Sequence, residues 1–292
     1  MVIDGGTFTI DTADDSVHSG DSVTINGGTL SIATGDDGVH ADNALTINGG
    51  DITVSKSYEG IESAVIMLNN GTIHVTASDD GVNVAGGKDS SGTAPGANRP
   101  GRQDTFASGS SYYLYIHGGY LFVNARGDGV DVNGAVEMTD GVVVVNGPTQ
   151  QNNGALDYDA GFNMTGGFIV AAGSSGMAMT PNNGQPSVLI YLTSTQPAGT
   201  LVHIQNNAGE DLLTFAPGVD YQSIAFSSPA LAQDATYTVF TGGSSTGTVT
   251  DGLYQGGAYT AGTQVANFTS SGTVTTVGSG GRMGPGGGGR KP

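Results

Sequence analysis

The sequence predicts an all-β fold, a right-handed parallel β-helix built from coils of about 22 residues. Three observations point there. A short phrase recurs at near-constant spacing, each recurrence opens a strand with period-two alternation, and the composition is rich in Gly with few helix formers. The phrase starts at Ile3 (IDGGTFTI), Ile25 (INGGTLSI), Ile47 (INGGDITV), Leu68 (LNNGTIHV), Ile116 (IHGGYLFV), Met138 (MTDGVVVV) and Met164 (MTGGFIVA). Successive starts are 22, 22, 21, 48, 22 and 26 residues apart, so the long interval is one coil plus an insertion.

Each element of the coil follows from its residues. The strand after the phrase alternates, with Phe8/Ile10, Leu30/Ile32, Ile52/Val54, Ile73/Val75, Leu121/Val123, Val143/Val145 and Ile169/Ala171 on one face. A second apolar column falls at Val17, Val39, Ile61, Val82, Val130 and Leu156. A third closes the coil, as at Val23/Ile25 and Leu45/Ile47. No single coil can hold a core, so stacking must supply it. Asn26, Asn48 and Asn69 occupy equivalent turn positions and predict an amide ladder.

The repeat assigns residues 1–186 to the helix, with an insertion at about 85–115. Residues 187–277 read as ordinary strands (SVLIYLTS, TLVHIQN, TYTVFTGG) forming a small C-terminal β module that caps or extends the last coil. Residues 278–292 read as a Gly-rich disordered tail. Met1 abuts the first coil, with no signal peptide and no cap. An uncapped solenoid exposes its edges, so a chain truncated at its start is expected.

Charge excludes some functions. Eight Lys+Arg against 26 Asp+Glu give a net charge of −18, which argues against a basic surface for nucleic acid or anionic lipid. With no Cys, thiolate metal sites and a cysteine nucleophile are absent. No stretch is long and apolar enough to span a bilayer as a helix.

The carboxylates are ordered. Twelve residues after each coil's start stand Asp15, Asp37, Glu59, Asp80 and Asp128. Three further on stand His18, His40, Glu62, Asn83, Asp131 and Asp157, with Asp14, Asp36 and Asp79 flanking. Coils stack ~4.8 Å apart, so each adjacent like-charge pair costs roughly 1–3.5 kcal/mol unless a counter-ion intervenes. Oxygen ligands in Gly-containing turns suit Ca2+, a hard cation of flexible coordination. A solvated acidic turn is the competing reading, and His18 with His40 raises zinc as a further one.

The outward residues of the first strand become apolar along the helix: Tyr120/Phe122, Val142/Val144, Phe168/Val170. A stripe of that size calls for a cover, either the 187–277 module or the insertion, or else it is a ligand platform. The insertion ends in Tyr112, Tyr113 and Tyr115, residues suited to stacking on sugar rings. Nothing marks a nucleophile, and no catalytic residue is assigned. Lys56 and Arg126 precede the acidic column of their own coils by three and two places. They are ion-pair partners, or sugar-contacting cations, or the base of a calcium-dependent lyase.

The phrases INGGTLSI, GDDGVHAD, SYEGIES, SDDGVNVAGG, ARGDGVDVNG and NGPTQQNNGALDYDAGF occur in order, followed by GTLVHIQN and VTDGLYQGGAY. Together they resemble a bacterial family of exported β-helix proteins, the carbohydrate-binding domain-containing proteins, which look like relatives of the pectate-lyase β-helices. The resemblance covers roughly residues 3–277. It implies a calcium-binding, non-catalytic protein that recognises polysaccharide, with polygalacturonate (pectin) and cellulose as candidates, and an extracellular or cell-surface location. The rivals are a lyase or glycoside hydrolase of the same fold and an adhesive solenoid. Carried over position by position, the resemblance marks Asp36, Asp37, Glu59, Glu62, Asp79, Asp80, Asp128, Asp131, Asp157 and Asp159 as its acidic signature.

Overall fold

The computed structural model describes residues 1–85 and 111–280. Every element within them is a strand. Three parallel sheets form the walls of a β-solenoid of about seven turns, and a complete turn donates one strand to each wall.

Sheet I stacks Val2–Ile3, Ser22–Ile25, Ala44–Ile47, Val65–Leu68, Tyr113–Ile116, Ala135–Met138, Gly161–Met164 and Asn183–Gly184. Sheet II begins with Thr7–Asp11, Thr29–Ala33, Asp51–Ser57, Thr72–Ala77, Tyr120–Ala125, Val142–Asn146 and Phe168–Gly173. Sheet III holds the three-residue strands Val17–Ser19, Val39–Ala41, Ile61–Ser63, Val82–Val84, Val130–Val132 and Leu156–Tyr158. The register pairs identical places in the repeat: Leu30 with Ile52, Ile25 with Ile47, Val39 with Ile61. The three apolar columns meet inside in one continuous core, and its members reach 0% exposure at Val39, Leu45, Ile52 and Ile61. Each such side chain contributes roughly 1.5–3 kcal/mol when withdrawn from water. At the first coil Phe8 is exposed and Ile10 half-buried, since no coil lies below them.

The Ile-x-Gly-Gly turn needs its second glycine. Gly28 has a φ of 104°, a conformation that side chains with a Cβ rarely adopt. Above it, the predicted ladder is present. Asn48 Nδ2 donates to Asn26 Oδ1 at 2.8 Å and Asn69 Nδ2 to Asn48 Oδ1 at 2.8 Å. Asp4 accepts from Asn26 at the lower end, at 2.6 Å, and His117 Nδ1 meets Asn69 Oδ1 at the upper end, at 2.9 Å.

The C-terminal strands do more than cap. Tyr221–Ser227 adds to sheet II antiparallel to Phe168–Gly173. Ser187–Gln196 and then Val274–Val277 continue that sheet. A six-stranded antiparallel sheet (Thr248–Thr250, Leu253–Gln255, Asp211–Phe215, Val202–Asn206, Thr236–Thr241, Thr263–Thr269) folds back over the outer face of sheet II. Val144 and Val170 are thereby fully buried against Val202, Ile204 and Phe215, with Tyr120, Phe122, Val142 and Phe168 packed at the margin. The apolar stripe is therefore the floor of a second core, and its cover comes from the C-terminal strands. The Gly/Ser/Pro portion of the insertion, with Lys88, Arg99 and Arg102, and the tail beyond residue 280 lie outside the described residues.

Candidate functional site

Sheet III sets the acidic column. Its register aligns His18, His40, Glu62, Asn83, Asp131 and Asp157 in one row. The turn before each strand is bound to the next coil through its backbone: Ser16 N donates to Asp37 O at 3.1 Å, Gly38 N to Glu59 O at 3.1 Å, Gly60 N to Asp80 O at 3.0 Å and Gly81 N to Asp128 O at 3.0 Å. The close approach requires glycine at position 60, where a Cβ would strike the Gly81 carbonyl and the Val75 side chain.

Within the column, one carboxylate oxygen ties coil to coil. Asp15 Oδ1 accepts the Asp37 N–H at 3.1 Å, Asp37 Oδ1 the Glu59 N–H at 3.3 Å and Asp80 Oδ1 the Asp128 N–H at 2.5 Å. Asp128 Oδ1 accepts from Gly154 N–H. The carboxylates also converge. Asp37, Glu59 and Glu62 bring ligand atoms within 4.8 Å of one another, as do Asp80, Asp128 and Asp131, Asp14, Asp15 and Asp36, and Asp15, Asp37 and His40.

Burial separates these groups. Asp37 is 1% exposed, and Asp36, Glu59, Glu62 and Asn83 are each 4% exposed, whereas Asp80, Asp128 and Asp131 are half-buried. Asn83 Nδ2 donates to Glu59 Oε2 at 2.7 Å. Its Oδ1, like Asp37 Oδ2, is buried without a hydrogen-bond partner. Leaving a buried polar oxygen unsatisfied costs about 1–3 kcal/mol, more for a charged group. Burial, and then the charges of Asp128, Asp131, Asp79 and Glu59, push the Asp80 carboxyl up to about 9. Burial and Asp159 raise Asp157 as well.

Two histidines enter it. His40 Nδ1 lies 3.4 Å from Asp37 Oδ2, 3.6 Å from Asp15 Oδ2 and 3.6 Å from Glu62 Oε2, and His18 Nδ1 lies 2.9 Å from Asp15 Oδ2. Their rings stack at 5.0 Å with planes 3° apart. Higher in the column the donors are oxygen alone, a set that fits a hard cation such as calcium. Asp157 continues the row and Asp79 flanks it, but neither joins a three-ligand cluster among the described residues.

The other predicted contacts are scattered. Tyr113 and Tyr115 stand half-buried on the outer face of sheet I, rings 5.6 Å apart and 16° from parallel. Tyr112 turns the other way and packs against the solenoid core. Lys56 is exposed on sheet II beside Ala33, and Arg126 is exposed in the turn after Tyr120–Ala125. The sequence reading missed Glu137, Asn163 and Asn183, which align with Tyr115 on sheet I. Their signal was the alternate polar position of each coil's last strand.

A family described as carbohydrate-binding domain-containing protein matches residues 1–38, the first coil and the start of the second, up to Asp36 and Asp37. No curated protein and no solved structure matches the chain.

Proposed function

We propose that the chain is a non-catalytic polysaccharide-binding solenoid whose carboxylate column holds calcium. The calcium assignment rests on the pair of buried oxygens, Asp37 Oδ2 and Asn83 Oδ1, that lack hydrogen-bond partners inside a stack of carboxylates. The residues that would hold ions are Asp37, Glu59, Glu62 and Asn83 in the buried stretch, and Asp80, Asp128 and Asp131 in the half-buried one. Calcium would supply positive charge there and bind coil to coil. The polysaccharide assignment rests on the family match over residues 1–38 and on the order of the phrases beyond it. Those phrases also support kinship with pectate-lyase-like helices and an extracellular setting. No helix among the described residues is long and apolar enough to cross a membrane.

Burial divides the roles of the ions. An ion among Asp37, Glu59 and Glu62 is sealed from ligand and acts structurally. An ion at Asp80, Asp128 and Asp131 is open enough to be shared with a uronate carboxylate, the route by which a chain of charge −18 would hold an acidic polymer.

Affinity electrophoresis against polygalacturonate, a soluble cellulose derivative and a neutral hemicellulose, each with calcium and with chelator, tests the reading. Ultraviolet absorbance of the same samples detects unsaturated uronides, and a reducing-end assay detects hydrolysis. Retardation without product is expected. Retention on no polymer would overturn the polysaccharide assignment, and release of unsaturated product would replace a binding protein by a lyase.

A further inference from the structure

The outer face of sheet I carries a cleft of about 250 Å³ along its upper coils. Tyr113 and Tyr115 form one wall. In register with Tyr113, the next two coils carry only Ala135 and Gly161, so the surface steps down beside the aromatic pair. In register with Tyr115 come Glu137, Asn163 and Asn183, a carboxylate followed by two amides, one per coil. The step creates the groove, and the coil repeat spaces its polar groups at ~4.8 Å.

We propose that this cleft is a sugar-binding site of its own, apart from the acidic column, and that its ligand is an uncharged hexose chain, a neutral glycan and not a polyuronate; the proposal rests on the polysaccharide-binding reading above. Apolar C–H faces of a pyranose pack on aromatic rings, which the tyrosine wall provides. Hydroxyls need donors and acceptors at regular intervals, which Asn163 and Asn183 provide in both senses and Glu137 as an acceptor. Charge settles the class. Glu137 is the sole ionisable group of the cleft besides the two phenols, and the described cations Lys56 and Arg126 line no part of it. Among the described residues a uronate carboxylate would meet Glu137 with no cation to bridge them, whereas a neutral hydroxyl donates to it. The acidic clusters belong to sheet III and the turns before it, and none of their residues lines this cleft, so sugar binding here needs no metal.

The test is titration of the full chain with cellohexaose, a mannohexaose and a galacturonate hexamer, each with calcium and with chelator. A neutral hexamer is expected to bind equally in both media. Tyr115→Ala should weaken it roughly tenfold or more, as loss of a central aromatic anchor does. Ala135→Leu, which fills the floor and leaves the core untouched, should abolish binding with an unchanged melting temperature. Neutral binding that survives both substitutions would overturn the site while leaving the polysaccharide reading intact. Binding of the galacturonate alone would overturn the ligand class. Failure of every sugar would overturn this proposal together with the reading on which it rests.

Discussion

The Asp37 carboxylate accepts the Glu59 backbone N–H at 3.3 Å through Oδ1 and keeps Oδ2 buried without a hydrogen bond. One oxygen thus joins two coils, and the other lies among the carboxylates of the column with the His40 ring 3.4 Å away. Asp37→Asn keeps an oxygen for the Glu59 N–H and removes one charge. In chelator it should melt above the native chain, because each like-charge neighbour costs roughly 1–3.5 kcal/mol. In calcium the order should invert. Native protein should gain about 2.7 kcal/mol at a calcium concentration a hundred times its dissociation constant, and Asp37→Asn should gain much less. Differential scanning fluorimetry in the two media reads both, and identical melts for native protein in chelator and calcium would remove structural calcium.

Asp80 gives the pH dependence. In the metal-free fold its carboxyl is raised from 3.8 to about 9, chiefly by burial. Between about pH 4 and about pH 9 the folded chain holds a proton that the unfolded chain has released, so its stability falls as pH rises across that window. The contribution is fully present below about pH 4 and gone above about pH 9. In chelator, melting temperature should therefore decline from mildly acid to alkaline buffer, and Asp80→Asn should flatten that slope. Saturating calcium should suppress the decline, since cation replaces proton. A native chain whose chelated melt rises with pH would contradict the assignment.

The column spacing was legible because the solenoid converts sequence period into spatial register. Residues 22 apart, such as Asp15 and Asp37 or His18 and His40, become neighbours without any further folding rule. The Asn26–Asn48–Asn69 ladder was readable for the same reason. What the period could not convey was depth. Glu62 and Asp131 hold equivalent places, yet one is 4% exposed and the other half-buried. The inward face of Tyr112 was legible as well, since Ile116 opens its coil's phrase and alternation gives Leu114 and Tyr112 the same parity. The pairing of Tyr221–Ser227 on Phe168–Gly173 joins segments with no shared repeat, and nothing in either announces the other.

The glycine that follows Asp37, Glu59, Asp80 and Asp128 sets how closely coils approach. Gly60→Ala would press its methyl into the Gly81 carbonyl and Val75. A loss of about 1–3 kcal/mol is expected, the usual cost of overpacking. Gly5→Ala, with nothing within 4 Å of the added carbon, is the matched control and should leave the melt unchanged. Equal melts for the two variants by thermal circular dichroism would show that the coils can separate freely.

The C-terminal sheet is pinned to the solenoid by Asp251. Its Oδ2 accepts from the Tyr120 hydroxyl at 2.8 Å and meets His74 Nε2 at 2.9 Å. Burial and the Asp251 contact both raise the Tyr120 hydroxyl pKa, so the phenol stays a donor throughout the neutral range. Asp251 itself sits at φ 50°, a left-handed conformation that Asp and Asn tolerate and Ala does not. Asp251→Ala therefore loses both contacts and strains the turn, and it should cost about 1–3 kcal/mol. Asp251→Asn keeps the turn and one acceptor, so its loss should be smaller. Loosening this contact uncovers Phe122, Val142 and Phe168, so binding of a hydrophobic dye should rise in Asp251→Ala before the main melt. Unchanged dye binding together with an unchanged melt would show that the apolar packing of Val144 and Val170 holds the cover by itself.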